Sequence, residues 1–352
     1  MIREESIRRY ILDKYGDVDE LNISTFTGDR VKGYGYGEPI LITFRSRGKK
    51  YRLVLNTIRE DRFGHEYISD RSGEILWSYK SFNKLDRHVR AVSVGYIDGE
   101  GNLRDIDDFD EFYLITEYRE GKLYKDYLFE LGESYSARDL EMVDRLAKYL
   151  AGIHSVKPDV DKWIYIRRIR DLIGHGECIM GIVDSYIWGG GDVDLETLKE
   201  VEYKALRWRW RLRRYMDRLS VVHGDFHPWN IIWIDDDFIL LDRSRGEYGE
   251  PADDVAALTI NYIFISLLRH GILRENYKRL YTYFFERYLK YTGDEQLFEV
   301  IQPFYAWRGL VVANPVWYPN LDRNIRDMLI RFVLNVLDEE FFEYDGVEKY
   351  LR

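Results

Sequence analysis

A single cysteine, Cys178, is present in 352 residues, so the chain can form neither an internal disulfide nor a cysteine-built zinc site. Glutamine is nearly absent, with only Gln296 and Gln302, while Glu, Arg and Tyr abound. Heat-adapted chains show a bias of this kind. No run reaches the roughly 18 apolar residues of a membrane span. The longest, from Leu258 to Leu268, is interrupted by Asn261. The first residues, Met1-Ile2-Arg3-Glu4-Glu5, are charged with no apolar stretch behind them, which argues against a secretory signal and for a cytosolic protein. No G-x-x-x-x-G-K-[ST] occurs, so P-loop chemistry is excluded, and there is no internal repeat.

What is present suffices for a large core. Hydrophobic residues make up 45% and charged residues 32% of the chain. A single core stops growing at roughly 250–300 residues, so two packed units are expected. The formal charge of −10 speaks against nucleic acid or an anionic membrane as the main partner. It says nothing about a local basic site.

The first third reads as strand-rich. A short amphipathic helix around Ile7, Tyr10 and Ile11 precedes a strand at Leu21–Thr27 and a glycine cluster. Ile40–Phe44 and Tyr51–Leu55 then form a hairpin pattern about Ser46-Arg47-Gly48-Lys49. A helix is expected over Ser72–Leu85, and strands over Val89–Ile97 and Glu111–Glu117, with an acidic loop between them. From residue 118 the period is helical. Asp139–His154 has one apolar face and Ser136 as N-cap, and helical patterns recur at 165–187, 194–219, 254–269, 274–291 and 322–338.

The chemistry is concentrated in His223-Gly224-Asp225-Phe226-His227-Pro228-Trp229-Asn230, followed by the apolar run Phe238–Leu241 ending in Asp242. An apolar strand delivers Asp225 into a tight loop, and Asn230 ends that loop at the next strand. Two carboxylates and an amide converge at neighbouring strand ends, and such hard oxygen ligands suit Mg²⁺. Asp235-Asp236-Asp237 reads as an exposed turn.

H-G-D-x-H-P-x-N with a following strand that ends in Asp resembles the aminoglycoside phosphotransferase and choline kinase-like family, small-molecule kinases of the protein-kinase-like fold. Tyr113–Tyr118 resembles that family's inter-lobe hinge, Leu146–Ser155 its helix before the substrate region, and Gly249-Glu250-Pro251-Ala252-Asp253-Asp254-Val255-Ala256 its G-D-P-x-x-D-L-A stretch. The resemblance implies that Asp225 is the catalytic base and that Asn230 and Asp242 ligate Mg²⁺. It implies that the backbone at Glu117 and Tyr118 meets adenine. His223, His227 and Asp254 would brace the loop.

The chain departs from the kinase pattern at one point. Where a V-A-I-K-like strand ends in a phosphate-binding lysine, Leu53-Val54-Leu55-Asn56 places Asn56. Arg52, on the same strand face, or Arg59 could supply the charge, with Glu74 or else Glu66 as the helix partner. Gly33 and Gly35, in Gly33-Tyr34-Gly35-Tyr36-Gly37, suit either a phosphate-covering loop or a hairpin turn. Arg243 and Ser244 follow Asp242, and Gly249 comes soon after, leaving no long activation segment. The run Arg207–Arg214, with Trp208 and Trp210, reads as a packed helix whose arginines snorkel. Trp307, Arg308 and Trp317 fall where an acceptor pocket would close.

The expected architecture is α+β and bilobal. A small antiparallel β lobe with one main helix (1–117) binds nucleotide, 118–121 form the hinge, and a larger helical lobe (122–352) carries the catalytic loop and acceptor pocket. The expected activity is ATP- and Mg²⁺-dependent transfer of the γ-phosphoryl group to a hydroxyl of a small molecule. The alternatives are a nucleotide-binding pseudokinase, prompted by Asn56, and a protein serine kinase, disfavoured by the short segment after Asp242.

Overall fold

The computed structural model describes residues 3–25, 36, 37, 39–84, 86–106, 109, 111–189 and 193–352. The chain divides into two compact units, with the boundary between Thr116 and Glu117.

The smaller unit contains α1 (Glu4–Tyr15), β1 (Val18–Thr25), β2 (Ile40–Ser46), β3 (Lys49–Leu55), α2 (Ile68–Phe82), β4 (Gly95–Ile97) and β5 (Leu103–Asp105). The first three strands form one antiparallel sheet in the order β1-β2-β3. Ser46 pairs with Lys49 across a two-residue turn in which Arg47 and Gly48 both have positive φ, 48° and 76°. Such a turn matches the natural twist of a hairpin. Period-two alternation then decides the faces. Ile42 and Phe44 are buried against Ile7 and Ile11 of α1, with Tyr51, Leu53 and Leu55 packed around them. Arg52, Val54 and Asn56 face out.

Two expected strands are corrected here. Of Val89–Ile97 only Gly95–Ile97 is strand, paired with β5, and Glu111–Glu117 forms none. Tyr113, Leu114 and Ile115 are each more than 80% exposed (87%, 87% and 82%). β-propensity yields a strand only where a neighbour takes up its backbone groups.

The larger unit contains β6 (Lys122–Leu123), α3 (Tyr124–Glu130), α4 (Ala137–His154), α5 (Trp163–Gly174), α6 (Ile179–Trp188) and α7 (Leu195–Leu212). It continues with β7 (Ser220–Val221), β8 (Ile231–Ile234), β9 (Asp237–Leu240), β10 (Tyr248–Gly249), α8 (Pro251–His270), α9 (Glu275–Thr292), α10 (Gln302–Ala313) and α11 (Arg323–Asp338). Ser136 caps α4 through Asp139 N, and the Asp139 carboxylate accepts from Ser136 N in return. The expected helix over 165–187 is two helices, parted by a turn in which Cys178 N bonds His175 O. α10 carries no readable period because almost every residue from Gln302 to Ala313 is buried. Every residue of α8 from Pro251 to Leu267 is buried.

Candidate active site

Two small sheets hold the loop. β7 pairs with β10, and β6-β8-β9 form the second sheet, with Ile231 opposite Leu240. Leu241 N donates to Asn230 O at 2.9 Å, which brings Asn230 and Asp242 to adjacent strand ends. The turn of the loop lies at Gly224, whose φ is 86°. Any Cβ there would be strained in φ and would sit 3.3 Å from Arg245 Cβ.

Asp254, fully buried at the start of α8, accepts from the backbone N–H of His223 and of Gly224, each at 2.7 Å, and lies 3.1 Å from His154 Nε2. The other ring nitrogen of His154 meets Tyr288 Oη at 2.7 Å. Burial alone would raise the Asp254 carboxyl, but His154 and the loop amides hold it below the usual carboxylate range. His223 Nδ1 accepts from Asp225 N at 3.3 Å, and burial pushes the imidazole below its ordinary value, keeping it neutral.

Asp225 is 7% exposed. Its Oδ1 receives Arg308 Nη1 at 2.5 Å, and Arg245 Nε stands off at 3.8 Å. Its Oδ2 lies 3.5 Å from His227 Nε2, and no other described residue forms a hydrogen bond or ion pair with it. Trp229 N donates to His227 Nδ1, which leaves the ring proton on Nε2, toward that oxygen. Burial works to raise the Asp225 carboxyl, yet Arg308, His227 and Arg245 outweigh it and hold the group far below the carboxylate range. Arg308 also donates to Asp253 Oδ1 at 2.7 Å and to Gly224 O at 3.1 Å. Asp253 differs in outcome: burial raises its carboxyl, and Arg308 only partly offsets this.

Asn230 Nδ2 donates to Asp225 O at 3.0 Å and lies 3.2 Å from His227 Nε2. Asp242 is exposed, has a positive φ of 52°, and accepts from Ser244 N at 3.2 Å. Among the described residues no group of three or more His, Cys, Asp or Glu could hold a metal.

A sequence model described as the phosphotransferase enzyme family matches residues 81–288, more than half of the chain. The chain belongs to that family. No curated protein matches it. Solved structures similar to it include a choline kinase from Cryptosporidium parvum (13% identity, 99% of this chain and 94% of that one, TM-score 0.37). An amicoumacin kinase in complex with AMP-PNP, Ca²⁺ and Ami has 12% identity, 97% and 99% coverage, and a TM-score of 0.42. A choline/ethanolamine kinase family protein from Mesorhizobium loti has 12% identity, 97% and 93% coverage, and a TM-score of 0.39. Family membership makes the protein an enzyme of phosphoryl transfer, and its α+β class is the one the motif implied.

The remaining candidate residues of this phosphotransferase are placed as follows. Gly33 and Gly35 lie outside the described residues. Arg52 on β3 and Asn56, just past its end, are both exposed. Glu74, on α2, meets His65 Nε2 at 2.8 Å, rather than a strand cation. Glu117 and Tyr118 are exposed, and the Glu117 carboxylate is 3.9 Å from Arg119. In the Arg207–Arg214 run, Trp208 is buried with Nε1 on Leu337 O, while Trp210 is exposed beside Arg209 and Arg213. The contacts of Arg308 and Arg245 with Asp225 were not foreseen. The available signal was a lone arginine in the otherwise uncharged helix α10, which must bury its charge against a partner.

Proposed function

We propose that this phosphotransferase moves the γ-phosphoryl group of ATP, with Mg²⁺, to a hydroxyl of a small molecule. The observation that carries the reading is the asymmetry of Asp225. One carboxylate oxygen is tied down by Arg308, while the other has, among the described residues, no partner but His227 at 3.5 Å. That second oxygen suits an acceptor hydroxyl. An acid held so strongly ionised is a poor base toward a free alcohol. Its part is to orient the hydroxyl and to take its proton once bonding to phosphorus has made that proton acidic. Phosphoryl transfer asks mainly for such positioning.

The donor set accommodates Mg²⁺. Asn230 uses its Nδ2 within the loop, and no donor among the described residues meets its Oδ1. Asp242 Oδ2 is likewise open, and both are hard oxygens. When bound, the ion would neutralise phosphate charge. Arg243 holds the strand end by donating to Val222 O at 3.0 Å through Nε and 2.8 Å through Nη2. Within the smaller unit, the open face of β3 at Arg52, with Asn56 just past its end, is the candidate phosphate contact, and Glu117 and Tyr118, at the start of the larger unit, are the candidate adenine contact. A reducing cytoplasm suits a chain whose lone cysteine is buried.

The test is ATP consumption over a panel of alcohols for the wild type, Asp225→Asn and Asp242→Asn, with calorimetric Mg·ATP binding alongside. Loss of turnover in both variants is expected, with weakened Mg·ATP binding in Asp242→Asn. Full activity in both overturns the reading. Asn56 favours a second one, a nucleotide-binding regulatory protein, which predicts Mg·ATP binding with no turnover of any acceptor.

A further inference from the structure

Around the loop acid the cations are more numerous than its chemistry requires. Arg245 donates no hydrogen bond to any described residue, and its buried Nε has no hydrogen-bond partner among them. Its nearest carboxylates are Asp225 at 3.8 Å and Glu177 at 3.5 Å, and the Glu177 side chain is 67% exposed. The guanidinium is held by stacking on Trp307, 4.9 Å from the ring centroid, with Arg308 on the same indole at 3.8 Å. Arg308 is itself 6% exposed, and its Nε also lacks a partner. Arg168, half-buried on α5, gives its Nη1 to Arg245 O and has no carboxylate of the described residues within ion-pair distance.

These groups meet at the start of α6. Trp307 Nε1 donates to Glu177 O at 3.0 Å, so the indole that carries both guanidinium groups is fixed to the residue before the N-cap of α6. Cys178 at the N-cap offers no side-chain hydrogen bond. Arg168, Arg245 and Arg308 all act electrostatically on its thiol. Three guanidinium groups at an uncapped helix end form a setting for an anion.

We infer that the acceptor is a hydroxylated anion, its carboxylate or phosphate bound by Arg245 and Arg168 beside Trp307 while its hydroxyl meets Asp225. The inference rests on the phosphotransfer reading and deepens it by assigning the acceptor's charge. Arg245 is the specificity residue, since it reaches toward Asp225 with donors to spare. Arg308 serves as a positioning residue. Glu177 is displaced from Arg245 when the anion arrives.

The experiment is steady-state ATP consumption with Mg²⁺ over four arms. These are hydroxy acids (glycerate, gluconate), phosphate esters (glycerol 3-phosphate, ribose 5-phosphate), neutral polyols (glycerol, ribose) and cationic alcohols (choline, ethanolamine). Turnover is expected in one or both anionic arms, and the arm that responds assigns the anionic group. Arg245→Gln should raise KM for the anionic acceptor roughly 10- to 100-fold with a smaller change in kcat, and should flatten the salt dependence of KM. Turnover of choline or neutral polyols in preference to the anions overturns the inference and leaves the kinase reading standing. Silence in all four arms overturns the kinase reading, and the anion site is then judged by binding alone. Saturable quenching of tryptophan fluorescence by glycerate or glycerol 3-phosphate, lost in both Arg245→Gln and Trp307→Phe, upholds the site, and its absence in the wild type overturns it.

Discussion

Arg308 Nη1 lies 2.5 Å from Asp225 Oδ1 while its Nη2 lies 2.7 Å from Asp253 Oδ1, so one guanidinium ties the loop acid to the first turn of α8. All three side chains are buried. A planar fork suits this task because it presents two donors in a rigid geometry, and it stays charged at any working pH. The neighbouring Asp254 secures the loop backbone in parallel through the N–H groups of His223 and Gly224. Consecutive aspartates of one helix start thus hold the side chain and the main chain of the same loop.

Replacing Arg308 by methionine removes the hydrogen-bonded cation shared by buried Asp225 and Asp253 and leaves Asp225 only the more distant Arg245, and removal of one partner from a buried pair costs about 3–5 kcal/mol. Arg308→Met should therefore lower the melting temperature sharply, and Arg308→Lys, which keeps charge without the fork, should fall between it and the wild type. Restoring neutrality with Arg308→Met/Asp253→Asn should recover part of the loss. Thermal unfolding followed by circular dichroism decides this. An unchanged melting temperature in Arg308→Met would show that the buried cluster contributes no net stability.

The parts of the site legible in the sequence were those written locally. The Asp225–Asn230 spacing, the Asp242 strand end and the Ser136 cap are short-range patterns, and each falls within one loop or one helical turn. The Arg308–Asp225 pair joins residues 83 apart, and α10 hides it because all-round burial removes the 3.6-residue period. The partner of Glu74 was misjudged for the opposite reason. The kinase pattern pointed to a strand cation, whereas His65, nine residues before it, supplies the contact. Glu111–Glu117 has the composition of a strand but pairs with no strand among the described residues, and composition does not record neighbours.

Asp254→Ala should be among the most damaging single changes outside the reacting groups. It strands two buried backbone N–H groups and removes the partner of His154 Nε2. Each orphaned buried donor costs on the order of 1–3 kcal/mol. The expected outcome is a lower melting temperature together with a fall in kcat. Asp254→Asn, which retains one acceptor oxygen, should recover some of both. Equal activity and stability in Asp254→Ala and the wild type would remove the bracing role.

Acid should act on the larger unit in two stages. The folded pKa of His223 lies below the ordinary 6.5, so the unfolded chain binds its proton first as pH falls. Stability is therefore full above about 6.5 and declines below it. Asp225 and Asp254 are both depressed, so their contribution is present above the usual carboxylate range and is lost as pH falls through their folded values. Asp253 is raised and works in the opposite sense, which softens the second stage. Melting temperature against pH should show both declines, and His223→Gln should erase only the first. A flat profile down to about pH 4 would contradict the neutral, buried assignment of His223.

Mild alkali should act on the smaller unit through His65. His65 is buried with Nδ1 3.0 Å from Asp61 and Nε2 2.8 Å from Glu74. Its pKa is raised chiefly by Asp61, against the opposing effect of burial, with Glu74 adding to the rise. A raised histidine stabilises fully below its unfolded value of 6.5, and that stability is lost as pH rises through the folded value. Because Glu74 lies on α2 and Asp61 precedes it, deprotonation should loosen the attachment of that helix. Hydrogen exchange at the α2 amides, corrected for the intrinsic pH dependence, should quicken above neutrality. The Glu74 side chain is 51% exposed and contributes less than Asp61, so Asp61→Asn should advance the loosening to lower pH more than Glu74→Gln does. The same corrected exchange profile in His65→Gln and the wild type would assign the alkaline response elsewhere.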